Sequence, residues 1–209
     1  MQPVSTHPEA QHAAEHSKVH ETTPIQHHLR NHRHIFLVIG PAGCGKSTVA
    51  DYVAAALDIP CIEGDSFHAE TNVSKMRSGI ALTDSDRWDW LVALREESIS
   101  CLDKGTQGVV VTCSALKRKY RDVMRVAAYH HPSIMIHFIY LDAPVEILLH
   151  RVGLRRNHYM GADMVASQFD ILERPSENEE DIISIDGSRR LEEVKVDALT
   201  RVRQLLRVI

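Results

Sequence analysis

Nine consecutive residues, Gly40-Pro41-Ala42-Gly43-Cys44-Gly45-Lys46-Ser47-Thr48, carry the most explicit chemistry in this chain. Gly40, Gly45, Lys46 and Ser47 fill every fixed position of G-x-x-x-x-G-K-[ST], the signature of a phosphate-binding loop. Glycines let the main chain curl tightly, so that successive N–H groups converge on an anion. A helix opening at Lys46 adds the positive end of its dipole to the same point. Lys46 has the reach to meet β- and γ-phosphates, and the Ser47 hydroxyl suits Mg²⁺. The spacing implies that the chain binds a nucleoside triphosphate.

Three further groups of side chains could act on that triphosphate. Glu63 and Asp65 lie in Ile59-Pro60-Cys61-Ile62-Glu63-Gly64-Asp65, which reads as a second short strand with both carboxylates on one side near its end. One could orient Mg²⁺-bound water and the other accept the proton of an attacking hydroxyl; a solvated acidic turn is the plain alternative. In the basic run Lys117 to Arg125, the residues Lys117, Arg121 and Arg125 line up on one helical face. Its first residues, Lys117 and Arg118, are placed to meet an anionic substrate, whereas a solvated face is the ordinary reading of Arg125. Arg151, Arg155 and Arg156 gather before Asn157-His158-Tyr159-Met160-Gly161, as the arginines of a lid over a transferring phosphoryl group would.

These groups need a scaffold that brings strand ends together. Ile35 to Ile39 is an apolar run suited to a buried strand, and Lys46 to Leu57 has helical spacing. Ser66 to Leu82 is polar and reads as a small substrate-facing insertion outside the core. Thr83 or Asp84 caps a helix to about Lys104, with Trp88, Leu91, Val92, Ile99 and Leu102 on one face. Trp90 falls off that face and either packs on a second neighbour or borders the site. Gly108 to Cys113, Ile134 to Leu141 and Asp181 to Ile185 read as further strands, with helices from about Pro144 to Val152 and from Leu191 to Leu205. Ser114 follows the third strand where a Walker-B Asp commonly stands, which leaves Glu63 or Asp65 for the metal. The alternation of strands and helices predicts an α/β fold with a buried parallel sheet.

Composition excludes other classes. A net charge of −4 over 209 residues argues against a nucleic-acid binder, and no apolar run approaches the roughly 20 residues of a membrane span. Cys44, Cys61, Cys101 and Cys113 lack C-x-x-C spacing, so reduced thiols in a cytoplasmic enzyme are expected. Residues 1–33 are rich in histidine and poor in large apolar side chains, which predicts a disordered extension before a domain spanning 34–209. His12, His16 and His20 could share a metal-binding helical face, though a polar tail is the simpler reading.

Together the loop, carboxylates, basic turn and arginine lid imply a small-molecule kinase, and the wording is more specific still. Glu63-Gly64-Asp65-Ser66-Phe67-His68, Asn72-Val73-x-Lys75-Met76, Leu82-Thr83-Asp84-x-Asp86-Arg87-x-x-Trp90-Leu91, Ser114-Ala115-Leu116-Lys117-Arg118-x-Tyr120-Arg121 and Arg155-Arg156-Asn157-His158-Tyr159 with Ser167-Gln168-Phe169 closely resemble the gluconokinase family. The likeness runs from about residue 34 to the C-terminus. It implies a three-layer P-loop fold with a five-stranded parallel sheet of order 2-3-1-4-5, a lid and a small substrate-binding segment. It also implies phosphorylation of D-gluconate at the 6-hydroxyl by ATP with Mg²⁺, feeding the pentose phosphate pathway. Asp65 would be the base, with Lys46 and Arg155 stabilising the phosphoryl group. His68, Lys75, Arg87, Ser114, Lys117, Arg118 and His158 would bind substrate, and Ser47 and Glu63 the metal. A homodimer stays open.

The chain departs from that family in its histidine-rich start and in Asn157 and Tyr159 of the lid, where Gly and Phe are usual. A related kinase acting on shikimate or a nucleoside monophosphate, or a silent ATP-binding scaffold, are the rival readings. Cys44, at a helix N-terminus, is also open to a lowered thiol pKa and oxidation, with ordinary packing as the alternative.

Overall fold

The computed structural model describes residues 32–154 and 162–208. Five strands, β1 (Arg33–Ile39), β2 (Cys61–Ile62), β3 (Gly108–Cys113), β4 (Ile134–Asp142) and β5 (Ile182–Asp186), form one sheet of order β2-β3-β1-β4-β5. Every pairing is parallel, with Ile35 opposite both Val109 and Ile136. The order is the one the family resemblance implies.

Alternation along β1 builds the three layers. Ile35, Leu37 and Ile39 face one core with Trp90, Leu91 and Leu94 of α3 (Asp84–Asp103) and Tyr120 and Met124 of α4 (Arg118–His130). Phe36 and Val38 face the other core. There they meet Val49 and Val53 of α1 (Lys46–Leu57), Leu148 of α5 (Val145–Gly153), Val165 of α6 (Ala162–Asp170) and Val194 and Val202 of α7 (Leu191–Val208). A central parallel strand is buried on both faces, which is why β1 and β3 read as unbroken apolar runs.

Two expectations change, for Asp65 and for Trp88, and the 66–82 segment gains a helix while staying outside the main cores. The second strand stops at Ile62, and Gly64–Phe67 forms a 3₁₀ turn, so Asp65 sits on a turn and not in a strand alternating with Glu63. The 66–82 segment contains α2 (Glu70–Arg77), whose Met76 packs with Leu82 and Met164 in a small cluster apart from the main cores. In α3, Trp88, expected on the packed face, is 46% exposed, while Trp90 is buried, as the packing alternative expects. Thr83 and Asp86 form a reciprocal capping box that fixes where α3 begins.

The basic run is divided as well. Arg121 is 1% exposed and donates from Nε and Nη2 to both oxygens of Glu179, at 2.8 and 2.7 Å. Its Nη1 donates to the carbonyls of Ala115 and Glu173. Arg125 pairs with Glu179, Asp181 and Asp122. Neither arginine extends an anion-binding face from Lys117, because each is drawn to carboxylates before β5. Toward the opposite end of the sheet from the loop, His34 and His137 share a hydrogen bond of 3.1 Å and stack with Phe36. Burial pushes both imidazoles below their ordinary pKa, His137 to about 4.

Candidate active site

The loop between β1 and α1 is held by its own side chains. Gly45, the residue before α1, has φ +98°, a left-handed conformation that favours glycine. Lys46 Nζ donates to the carbonyls of Gly40 and Pro41, at 3.0 and 3.1 Å, which lays its ammonium across the loop. Ser47 and Thr48 are exposed in the first turn of α1. Cys44 is buried, and burial raises its thiol pKa despite the nearby Lys46, so the lowered pKa considered from its helix position is not found.

Asp65 is brought opposite this loop by contacts distant in sequence. Gly64 N donates to Thr112 Oγ1 at 3.0 Å, and Trp90 Nε1 donates to Gly64 O at 2.7 Å. A Cβ on Gly64 would lie 2.0 Å from Thr112 O, so only glycine lets the turn approach β3 this closely. His68 stacks on Trp90 with ring centroids 4.2 Å apart. A narrow cavity of about 30 Å³ is lined by Ala42, Lys46, Asp65, His68, Arg87, Ser114 and Gln168, with Met76, Leu82 and Met164.

Within this cavity Arg87 is the buried cation. It donates to the carbonyls of Leu82 and Thr83 and lies 5.7 Å from the Tyr120 ring centroid. Burial lowers the pKa of His68, the neighbouring Asp65 opposes this, and Arg87 adds to it. Its Nδ1 is buried with no hydrogen-bond partner among the described residues.

Other predicted site residues lie elsewhere. Lys75 donates to Asp86 at 2.6 Å, and Lys117 donates to Asp84 at 2.9 Å, where Lys119 and the Tyr120 hydroxyl converge as well. The hydrogen bond from Lys75 holds the Asp86 carboxyl at about 2, and the bonds from Lys119, Tyr120 and Lys117 hold Asp84 well below the usual carboxylate range. Lys75 and Lys117 thus fasten α2 and the β3–α4 turn to the start of α3. Arg118 is exposed, and its backbone N donates to Glu173 at 2.7 Å. Glu63 accepts a hydrogen bond from the Thr112 hydroxyl and does not line the cavity. Arg151, grouped above with lid arginines, donates to the carbonyls of Gly187, Ser188 and Arg189, beside a second cavity lined by Gly43, Gly45, Thr48, Leu154 and Leu191. Arg155, Arg156 and His158, like residues 1–31, lie outside the described residues.

Two contributors, Thr112 and Gln168, had no assigned role on spacing alone, and Trp90 has a fuller one than packing. Thr112 interrupts an otherwise apolar strand, a signal that marks it as a hydrogen-bonding group. Trp90 both packs and supports the Asp65 turn. Gln168 Oε1 accepts from Ala42 N at 2.7 Å, a contact across 126 residues that no local pattern announces. No cluster of three or more His, Cys, Asp or Glu able to hold a metal occurs among the described residues.

Known proteins carry the same design. The family model described as an AAA domain matches residues 35–174. A probable gluconokinase of Schizosaccharomyces pombe is 44% identical over 185 residues, 88% of this chain and 95% of the relative. The thermosensitive gluconokinase of Escherichia coli is 40% identical over 151 residues, 72% of this chain and 78% of the relative. A gluconokinase crystal structure from Sinorhizobium meliloti superposes with a TM-score of 0.72 at 35% identity, covering 85% of this chain and 95% of that one. Identity at this level over most of both chains is more than a shared fold: the chain is a kinase and belongs to the gluconokinase family.

Proposed function

We propose that the chain transfers the γ-phosphoryl group of ATP to the 6-hydroxyl of D-gluconate, giving 6-phospho-D-gluconate and ADP for the pentose phosphate pathway. The observation that carries this reading is the placement of Asp65 and Lys46 on one cavity with Arg87 as its buried cation. Relatives named gluconokinases support the choice of acceptor.

Each residue then has a task. Asp65 accepts the proton of the attacking hydroxyl, the general-base role open to a carboxylate facing the acceptor. Arg87 pairs with the carboxylate of the sugar acid, and its two backbone carbonyl contacts fix its direction. His68 and Ser114 offer neutral hydrogen-bonding groups to the polyol. Lys46 turns its ammonium toward the phosphates and opposes their charge. Mg²⁺, when bound with ATP, neutralises charge on the β- and γ-oxygens. Ser47 and Glu63 are the protein oxygens we assign to that ion. The lid residues Arg155 and His158 complete the reading. The reaction takes place in the cytoplasm.

A coupled assay with ATP and a panel of gluconate, shikimate and AMP tests the reading. Gluconate should be the preferred acceptor, with NMR placing phosphate on C6; preference for shikimate or AMP would displace it. Asp65→Asn should lower turnover by about 10²–10⁴-fold. Nucleotide affinity should persist, and an unchanged rate would remove Asp65 as the base.

A further inference from the structure

We propose that Gln168 bridges the two halves of the site, holding the phosphate loop with one end of its carboxamide and the acceptor with the other. The inference rests on the gluconate reading above and names a residue to which that reading gives no role.

The loop itself explains why a bridge is needed. Gly40 N is bonded to Ser114 O, and Pro41 has no N–H, so Ala42 carries the first loop amide not engaged by the chain around the sheet. Ala42 is 5% exposed, and a buried amide needs an acceptor. Gln168 Oε1 supplies it at 2.7 Å. A backbone N–H can meet only the oxygen end of a carboxamide, so this contact also fixes which way the amide faces. Its Nε2 is left with two donors and no acceptor among the described residues, in a side chain that lines the cavity with Asp65 and Arg87.

Helix α6 holds that direction from behind. Met164, Val165 and Gln168 fall on one helical face at i, i+1 and i+4. Met164 joins Met76 and Leu82 on the acceptor segment, Val165 enters the main core, and Gln168 meets the loop. The helix touches acceptor segment, core and phosphate loop at once, so the carboxamide can register an acceptor against the loop. Its NH₂ suits a carboxylate oxygen, or a hydroxyl oxygen acting as acceptor, of a polyol acid; a carboxylate in the same place would repel the acid group and offer a hydroxyl no donor.

Two variants separate bridging from simple support of Ala42. Gln168→Met removes both ends, and Gln168→Glu keeps an acceptor for Ala42 N but replaces the donors with negative charge. In the bridging role both variants lose kcat/KM for gluconate by roughly ten- to a hundredfold, the scale of hydrogen bonds to charged groups. KM for gluconate should rise in both, while the dissociation constant for ADP, measured without acceptor, stays within about threefold because Lys46 and the loop amides remain. A wild-type-like Gln168→Glu beside an impaired Gln168→Met would reduce Gln168 to propping the loop and overturn the bridge. ADP affinity falling as steeply as turnover would overturn it too. Wild-type turnover on gluconate, run alongside, keeps the two claims apart. Its failure would sink the functional reading, and its success with an unimpaired Gln168→Glu would sink the bridge alone.

Discussion

Two ionic clusters are built from one basic run, and they behave as opposites. Lys117 and Lys119 reach Asp84 at the start of α3, where side chains are 20–48% exposed; Arg121 reaches Glu179, where both side chains are 2% exposed or less. The water-facing cluster sets the position of the β3–α4 turn against α3 beside the cavity, and screening by salt weakens it. The dry one satisfies its charge with bidentate geometry and two backbone carbonyls, and it holds the segment before β5. Residues four apart on one helix thus divide into an adjustable fitting near the acceptor and a fixed internal brace. Burial and the fork of the guanidinium together make the difference.

Breaking the brace should have the largest effect. Glu179→Ala leaves Arg121 charged, buried and unpaired, and should cost about 3–5 kcal/mol in urea unfolding. A loss below about 1 kcal/mol would place the brace with the weak surface pairs. The histidine pair sharpens the comparison next, since it is buried without a full counter-charge, facing His32, with Asp181 as the nearby acid. Unfolded histidines take protons near pH 6.5, whereas folded His137 does so only near 4, so the unfolded chain binds more protons between those values. Stability is therefore complete above about pH 6.5 and falls by up to about 3 kcal/mol as pH drops to 4. His137→Phe should flatten that slope; an unchanged slope would assign it to other groups. Below pH 4 a second decline should follow from Glu179, which Arg121 holds at about 2, as its carboxylate protonates. The smallest effect on stability belongs to Asp84→Asn. Its unfolding midpoint should stay near wild type while KM for the acceptor rises severalfold, and about 1 M salt, with a screening length of about 3 Å, should produce the same trend in the unaltered protein. A midpoint shift as large as that of Glu179→Ala would erase the distinction between the clusters.

Sequence reached the phosphate side of the site far better than the acceptor side, for a physical reason. The Gly40–Ser47 loop is a local backbone device whose determinants lie within eight residues, and the strands around it are apolar because both their faces are covered. Asp65 is different. Its turn exists because Gly64 touches Thr112 and Trp90, partners 48 and 26 residues away, and local spacing alone extends β2 through it. Arg121 looks like a surface residue until Glu179, 58 residues on, is placed beside it. Trp88 and Trp90 are both consistent with a buried face of some helix, and only the docking of Gly64 and His68 onto Trp90 decides between them.

The ammonium of Lys46 resting on the carbonyls of Gly40 and Pro41 has a consequence for selectivity against ordinary salts. An arriving ligand meets a cation that is already solvated from within, so it must outcompete two amide dipoles before it gains anything. A chloride replaces those dipoles with a single contact, whereas a triphosphate brings several charged oxygens at once. That internal competition therefore weighs more heavily on a weakly held monovalent anion than on a polyphosphate.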